Sequence, residues 1–314
     1  MYKTPAVNIA KHINDISTER LNSYRRVYPH KSEDEIYGMY CWNSELSSRI
    51  SMAIGIYEVC LRNKIHRVMS NYIFNNKNTY NGNLSGDKNS CNWYDKIATT
   101  GKVKGQIDEI YNQGGFPPPH KIISSISHGS WRYILEINKT NNGKNIPWNV
   151  LFPLIFSSAP ENFFNKSSRL DELKLNMKRI NILRNRVSHF EPIWKNKILK
   201  SIDGKKEIKR EPTTIADCIS RMRSEYNTII NTLSYISSEM HQFYIGTMNH
   251  MDILSMMTEG SLKSFMSQSE TIALDVESDD FSQKVIEQLS NPLCRNWLFE
   301  LKKSGSVIGH IRKS

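Results

Sequence analysis

The chain has no long apolar run. The longest, "VLFPLIF" at 150–156, contains a proline and falls far short of the ~20 residues that cross a bilayer, so no membrane partner is expected. The opening "MYKTPAVNIAKHIND" lacks the apolar stretch of a secretory signal, which points to a soluble cytoplasmic protein. Cysteine is scarce. The five residues Cys41, Cys60, Cys91, Cys218 and Cys294 are odd in number, scattered, and form no C-x-x-C pair, which argues against a disulfide framework and a structural zinc site. There is no glycine-rich phosphate loop, no dinucleotide fingerprint and no H-E-x-x-H. "SHGSW" at 127–131 places Ser130 after a glycine but lacks the second glycine of a nucleophile elbow. The acidic pair Asp279–Asp280 sits in a polar loop and reads as cap or surface. No metal and no cofactor are expected.

Positive charge, by contrast, is in excess. Lysine and arginine number 42 against 31 acids, a net charge of +11. Such an excess favours a polyanionic partner, because each phosphate neutralised by a cation releases counterions. At 314 residues with 39% hydrophobic content, the chain is long enough for one large domain or two moderate ones and has globular composition.

Helical periodicity dominates. From residue 40 to 70, Trp42, Leu46, Ile50, Ala53, Tyr57, Leu61, Ile65 and Val68 recur at spacings of three and four, one core-facing stripe along a long helix. Glu58, Arg62 and His66 lie four apart on its border. That spacing suits a Glu58–Arg62 structural clamp and a core His66. Residues 75–92, rich in Asn, Gly and Ser, read as a loop. The prolines of "NQGGFPPPH" (112–120) lead into an expected helix through Ile122, Ile123, Ile126, Trp131 and Leu135. A further helix is expected from a Ser168/Asp171 cap. After it come two basic strands joined at Asp203-Gly204, a hairpin at about 194–212. A long helix on Ile215, Met222, Ile229, Leu233, Ile236 and Met240 then runs to Gly246. "TIALDV", "WLFEL" and "VIGHI" read as short strands of a small α/β appendage. The expected fold class is mainly α, a helical domain over 1–258 with a hairpin insertion, followed by an appendage over 259–314.

The most informative stretch is "RNRVSHFEP" at 184–192. On a helical wheel, Leu170, Leu173, Met177, Ile180 and Val187 share an arc of roughly 100°, and Arg184 falls inside it. An arginine in an apolar stripe is costly unless its charge meets an anion, whether a carboxylate, a facing subunit or a phosphate. His189 lies about 140° round from Arg184 on an ideal helix, with Cα atoms about 9 Å apart. Asn185 stands one turn before His189, where it can orient the ring. Pro192 closes the helix. Arg186, Lys195, Lys197, Lys200, Lys205, Lys206, Lys209 and Arg210 add a cationic surface suited to a phosphate backbone.

Arg and His beside such a surface are the residue types that metal-independent RNA cleavage needs. An imidazole can take the proton of a ribose 2′-hydroxyl, and a guanidinium fork can neutralise the charge that builds on phosphorus-bound oxygens. The substrate supplies its own nucleophile, so the products would be a 2′,3′-cyclic phosphate and a 5′-hydroxyl.

"LRNRVSHFEPIW" resembles the RNR-x-x-H-x-E-P-I signature of Abi-like (abortive infection) proteins of the HEPN superfamily, relatives of the HEPN RNases of type VI CRISPR effectors. "WNSELSSRI…YEVCLRNKIHRVMS" is similar to the first helix of that group, and "ISHGSWRYIL" to its L-S-F-G-F-W element. The resemblance covers roughly residues 35–200. It implies a HEPN-type helical bundle and an RNase site on R-x4-6-H, with Arg184 as the motif arginine, Asn185 as the following polar residue and His189 as the motif histidine. It also implies action in phage defence or as a toxin on cellular RNA. Phe190 stands where many relatives carry a second histidine, so His189 alone bears the proton chemistry. Related nucleases form homodimers whose two motifs face each other. Some relatives instead carry two motifs in one chain, which keeps Arg62 and His66, with Glu58, as secondary candidates. A non-catalytic RNA binder, controlled by a cognate structured small RNA, is the alternative, and an antitoxin is a further possible partner. A sequence-independent DNA binder or scaffold is a third.

Overall fold

In a computed structural model the residues described are 9–115, 117–166, 168–266, 272–290 and 298–312. The N-terminal arm forms α1 (Ile9–Ile16) and α2 (Thr18–Arg25), separated at Ser17, whose φ is 87°. Next comes α3 (Glu33–Asn75), 43 residues and therefore about 64 Å long. It starts at a reciprocal cap. The Ser32 hydroxyl accepts from the Glu35 amide at 3.3 Å, and the Glu35 carboxylate accepts from the Ser32 amide at 2.9 Å. Glu33, Asp34 and Glu35 then place negative charge where the helix dipole favours it. The helix extends beyond both ends of the 40–70 stripe. Trp42, Leu46, Ile50, Ala53, Tyr57, Leu61 and Ile65 are all buried, and Val68 is half-buried against the core.

The loop that follows is anchored by buried Cys91, Trp93 and Tyr94. Next come α4 (Gly101–Asn112), α5 (Pro119–Ser125) and α6 (His128–Ile134). The single helix expected through Ile122 to Leu135 is thus two. Ile126 turns extended (ψ 125°), and Ser127, also extended, begins a new helix. The hydroxyls of Ser127 and Ser130, 3.0 Å apart, both donate to Gln106. This break puts His128 at the first position of α6.

After α7 (Trp148–Ile155), α8 is described over Ser168–Ser188, so Ser168, which the sequence suggested as the cap, is itself helical. The basic hairpin forms as expected. Short strands β1 (Leu199–Lys200) and β2 (Glu207–Lys209) pair antiparallel, and Gly204 takes the left-handed φ of 76° that its turn requires. The long helix expected to reach Gly246 is also split, into α9 (Ile215–Ile236) and α10 (Ser238–Ile245). Ser237 breaks it by accepting from the Met240 amide as an N-cap. Next are α11 (Met248–Met256) and α12 (Glu259–Met266).

Helix α3 is the axis of the bundle, packed against α2, α7, α8, α9, α11 and α12. Helix α12, placed by the sequence in the appendage, packs on α3 and α9. Gly38 makes this possible, since a Cβ there would lie 2.0 Å from the Phe265 carbonyl oxygen. The α/β unit therefore starts beyond α12. It comprises β3 (Ile272–Asp275), α13 (Phe281–Ser290), β4 (Leu298–Lys303) and β5 (Ser306–Arg312), with β3 parallel and β5 antiparallel to β4. Ser304 and Gly305, both at positive φ, make the tight β4–β5 turn. Thr271 and Trp297 of the expected strands lie outside the described residues.

Candidate active site at the end of α8

Helix α8 ends in a Schellman turn before Pro192 is reached. The Phe190 amide donates to the Val187 carbonyl at 3.3 Å, and the Glu191 amide to the Arg186 carbonyl at 2.9 Å. This pattern needs a left-handed residue after the C-cap, usually glycine. Here it is Phe190, at φ 54°, which costs about 1–2 kcal/mol in backbone strain. His189 is therefore the C-cap itself. Its amide makes the last helical bond, to Asn185 at 3.0 Å. Its ring is exposed and has no hydrogen-bond partner among the described residues.

Three side chains from three helices hold the strained turn. Arg20 of α2 donates from one nitrogen to the carbonyls of His189 and Phe190, both at 3.2 Å. Asn43 of α3, only 1% exposed, accepts from the buried Ile193 amide at 2.9 Å and donates to the Glu191 carbonyl at 3.3 Å. Arg186 donates to the carbonyls of Pro192 and Lys195. Asn43 has no place among the sequence candidates. Its signal was a polar residue inside the apolar stripe of the first helix.

Arg184 is half-buried and makes no hydrogen bond and no ion pair within 4.0 Å among the described residues. Its electrostatic neighbour is Glu58 on α3. Burial raises the Glu58 carboxyl, but contact with His128 and the charges of His128, Arg184 and Arg62 outweigh it and leave the group below its ordinary range. His128 Nδ1 lies 3.2 Å from Glu58 Oε2, an ion-pair contact without hydrogen-bond alignment. The expected Glu58–Arg62 clamp is not formed; Glu58 faces α6 instead. Gly129 lets α6 sit close to α8 here, because a Cβ would come within 3.2 Å of Asn181 Oδ1. His128 was missed at the sequence level, since its helix was expected to run unbroken through it.

The other candidates fall apart from this cluster. His66 has both ring nitrogens engaged. Trp93 Nε1 donates to Nδ1 at 2.8 Å, and Nε2 faces the Ser90 hydroxyl at 3.0 Å. Burial and the neighbouring His120 push its pKa down to about 4, so it is a neutral anchor for the loop. Asn185 is exposed and makes no side-chain bond to His189. Lys195, Lys197, Lys200, Lys205, Lys206, Lys209 and Arg210 are exposed on and beside the hairpin. Among the described residues no three His, Cys, Asp or Glu side chains are grouped to hold a metal, and no helix is long and apolar enough to cross a membrane.

The architecture defines a mainly helical protein that presents an arginine without an ion pair and an exposed histidine at one helix end, followed in the chain by a basic hairpin. The chain belongs to the Abi-like protein family, whose model matches residues 8–195, and this membership associates it with abortive infection, a form of phage defence. The match contains Glu58, Arg62, His66, Arg184, Asn185 and His189 and stops at Lys195, before the hairpin strands. No curated protein and no solved structure matches the chain.

Proposed function

We propose that the chain is a HEPN-type endoribonuclease that needs no metal, with His189 and Arg184 as its catalytic residues. The observation that carries this reading is the half-buried Arg184 guanidinium, which has no ion pair within 4.0 Å among the described residues, five positions before an exposed and unpartnered His189 on the same helix end. Glu58 meets the Arg184 charge only at a distance, and a half-desolvated arginine without a direct pair is unfavourable for folding alone, whereas a phosphodiester could engage its fork directly. The Arg184 fork would stabilise the charge developing on the phosphorane oxygens. His189 would take the 2′-hydroxyl proton or return one to the leaving 5′-oxygen. One histidine cannot do both at once. A two-fold homodimer with facing motifs would supply the second.

The substrate is cellular or phage RNA, held along the hairpin cations Lys197 to Arg210. Incubating wild type and His189→Ala with end-labelled RNA in EDTA tests the reading. Fragments with 2′,3′-cyclic phosphate ends from wild type alone are expected. Cleavage by both proteins would remove His189 from the chemistry.

A second reading keeps the RNA and drops the cleavage. The hairpin cations lie beyond the family match and suit a cognate structured RNA equally well. Tight binding without cleavage by either protein would favour this reading. An antitoxin partner would then be sought as an RNA or a protein that masks the hairpin.

A further inference from the structure

Helix α8 carries a second basic cluster, on the face away from Arg184. Arg179 and Arg186 are seven residues apart and so lie within about 20° of one another around the helix. Both face α9. Arg179 Nε pairs with Glu225 Oε2 at 2.9 Å, and Arg221 Nε pairs with Glu225 Oε1 at 2.6 Å. Arg179 also donates to the Ser224 carbonyl and hydroxyl, each at 3.2 Å. From the hairpin, Lys209 of β2 reaches down and donates to that same Ser224 hydroxyl.

The charges do not balance. Arg179, Arg186, Arg221 and Lys209 make four cations, and the carboxylates acting on them are Glu225 and Glu191. The difference, four minus two, is two positive charges. Lys209 is exposed as a residue, and partial burial of its amine, with the charges of Arg179 and Arg221, lowers its pKa. Arg221 is only 7% exposed, and its Nη1 is buried with no partner. A buried guanidinium nitrogen without an acceptor costs about 1–3 kcal/mol or more. The cluster is therefore an acceptor short and two charges positive, and the exposed strand β2 reaches it through the Lys209 amine on the Ser224 hydroxyl.

We propose that this cluster, Arg179, Arg186, Arg221 and Lys209 around Glu225, binds a phosphate monoester, with Arg221 Nη1 as the buried donor and the hairpin lysine as its lid. A monoester carries close to two negative charges at neutral pH, which matches the surplus; a phosphodiester carries one. Arg forks give it charge-assisted, paired hydrogen bonds. The monoester has two natural sources, the 5′ end of an RNA strand and a free nucleotide. The cluster uses neither Arg184 nor His189, so the inference stands whether or not RNA is cut.

The test compares binding of one short oligoribonucleotide with a 5′-phosphate or a 5′-hydroxyl, in a His189→Ala background to prevent turnover. The 5′-phosphate is expected to tighten binding about tenfold, the effect of one well-made charge-assisted contact pair. Lys209→Gln, an exposed change that leaves the bundle intact, should remove most of that preference, and Arg221→Gln all of it. Competition by a nucleoside monophosphate would identify a free nucleotide as sufficient, and its failure would assign the site to an RNA end. Equal affinity for the two oligonucleotides, with no competition by the monophosphate, would overturn the proposal. So would a preference that survives in Lys209→Gln.

Discussion

Asn43→Ala isolates what holds the His189 turn. In the native chain the Asn43 amide satisfies one fully buried backbone donor, the Ile193 N–H, and one carbonyl of an exposed residue, Glu191. Truncation orphans the donor, at about 1–3 kcal/mol. The carbonyl can turn to water, and its loss adds about 0.5–1 kcal/mol. A total near 3 kcal/mol should lower the melting temperature by roughly 4–5 °C for a chain of this size. It should shift the denaturant midpoint with little change in slope. Ser47, one turn further along α3, provides the control. Its hydroxyl is buried with no hydrogen-bond partner, so Ser47→Ala removes an unsatisfied group and should be neutral or slightly stabilising. The two substitutions lie on the same helix, four residues apart, and both bury a methyl. Equal midpoints for Asn43→Ala and wild type would refute the claim that Asn43 secures the turn. So would an equal loss in Ser47→Ala, which would assign the effect to packing of α3.

Three further expectations concern other parts of the fold. Gly38→Ala should destabilise by about 2 kcal/mol or more, because the new methyl would meet the Phe265 carbonyl at 2.0 Å and Met266 Cα at 2.9 Å; an unchanged melt would show that α12 is not seated on α3. Because the His66 pKa falls from 6.5 to about 4 on folding, the unfolded chain takes up its proton first. Stability from this residue is complete above pH 6.5 and declines as pH drops toward 4, and denaturant midpoints from pH 7.5 to 4 should fall less steeply in His66→Gln. Arg184→Met should change stability by no more than about 1 kcal/mol in either direction, since it removes a half-buried charge with no ion pair within 4.0 Å but also one that helps hold Glu58 ionised. A loss above ~2 kcal/mol in that variant would make Arg184 a structural residue.

Much of this was legible in the sequence where a long-range pattern carried the information. The stripe from Trp42 to Ile65 announced α3 because seven turns of periodicity outweigh any local preference. The Asp203-Gly204 turn was readable from turn chemistry, and the small α/β appendage from its short apolar runs. What stayed hidden was decided by single polar groups. Ser127 and Ser237 each break an apolar run that reads as continuous, since a side-chain cap competes with the helix over one residue only. Glu58 seemed paired by its i+4 spacing to Arg62, but His128 of α6 contacts the same carboxylate and the Arg184 charge of α8 acts on it, and spacing on one helix cannot show either. The Schellman turn was masked by Pro192, which offered a simpler stop, and by Phe190, a residue that does not advertise a left-handed backbone.

The limits of the family match fit the division of labour along α8. Residues 8–195 take in Arg20, Asn43 and Arg186, the three side chains that pin the His189 turn, and end at Lys195, whose carbonyl is the last one held there. Every polar contact that sets the backbone of Phe190 thus comes from within the matched span. An exposed Phe190 at positive φ gains little from burial, at 56% exposure, so its strain has to be offset by those contacts. That is the pattern expected where a backbone is bent to aim a functional group. The opposite face of α8 is built differently. Arg221, Ser224 and Glu225 on α9 and Lys209 on the hairpin all lie beyond residue 195, and only Arg179 and Arg186 lie inside it. The His189 turn is therefore a property of the Abi-like region itself, whereas the phosphate cluster exists only where that region meets the chain that follows. Substitutions at Asn43 and at Lys209 should then separate cleanly, the first acting on the turn without loss of the 5′-phosphate preference, the second doing the reverse.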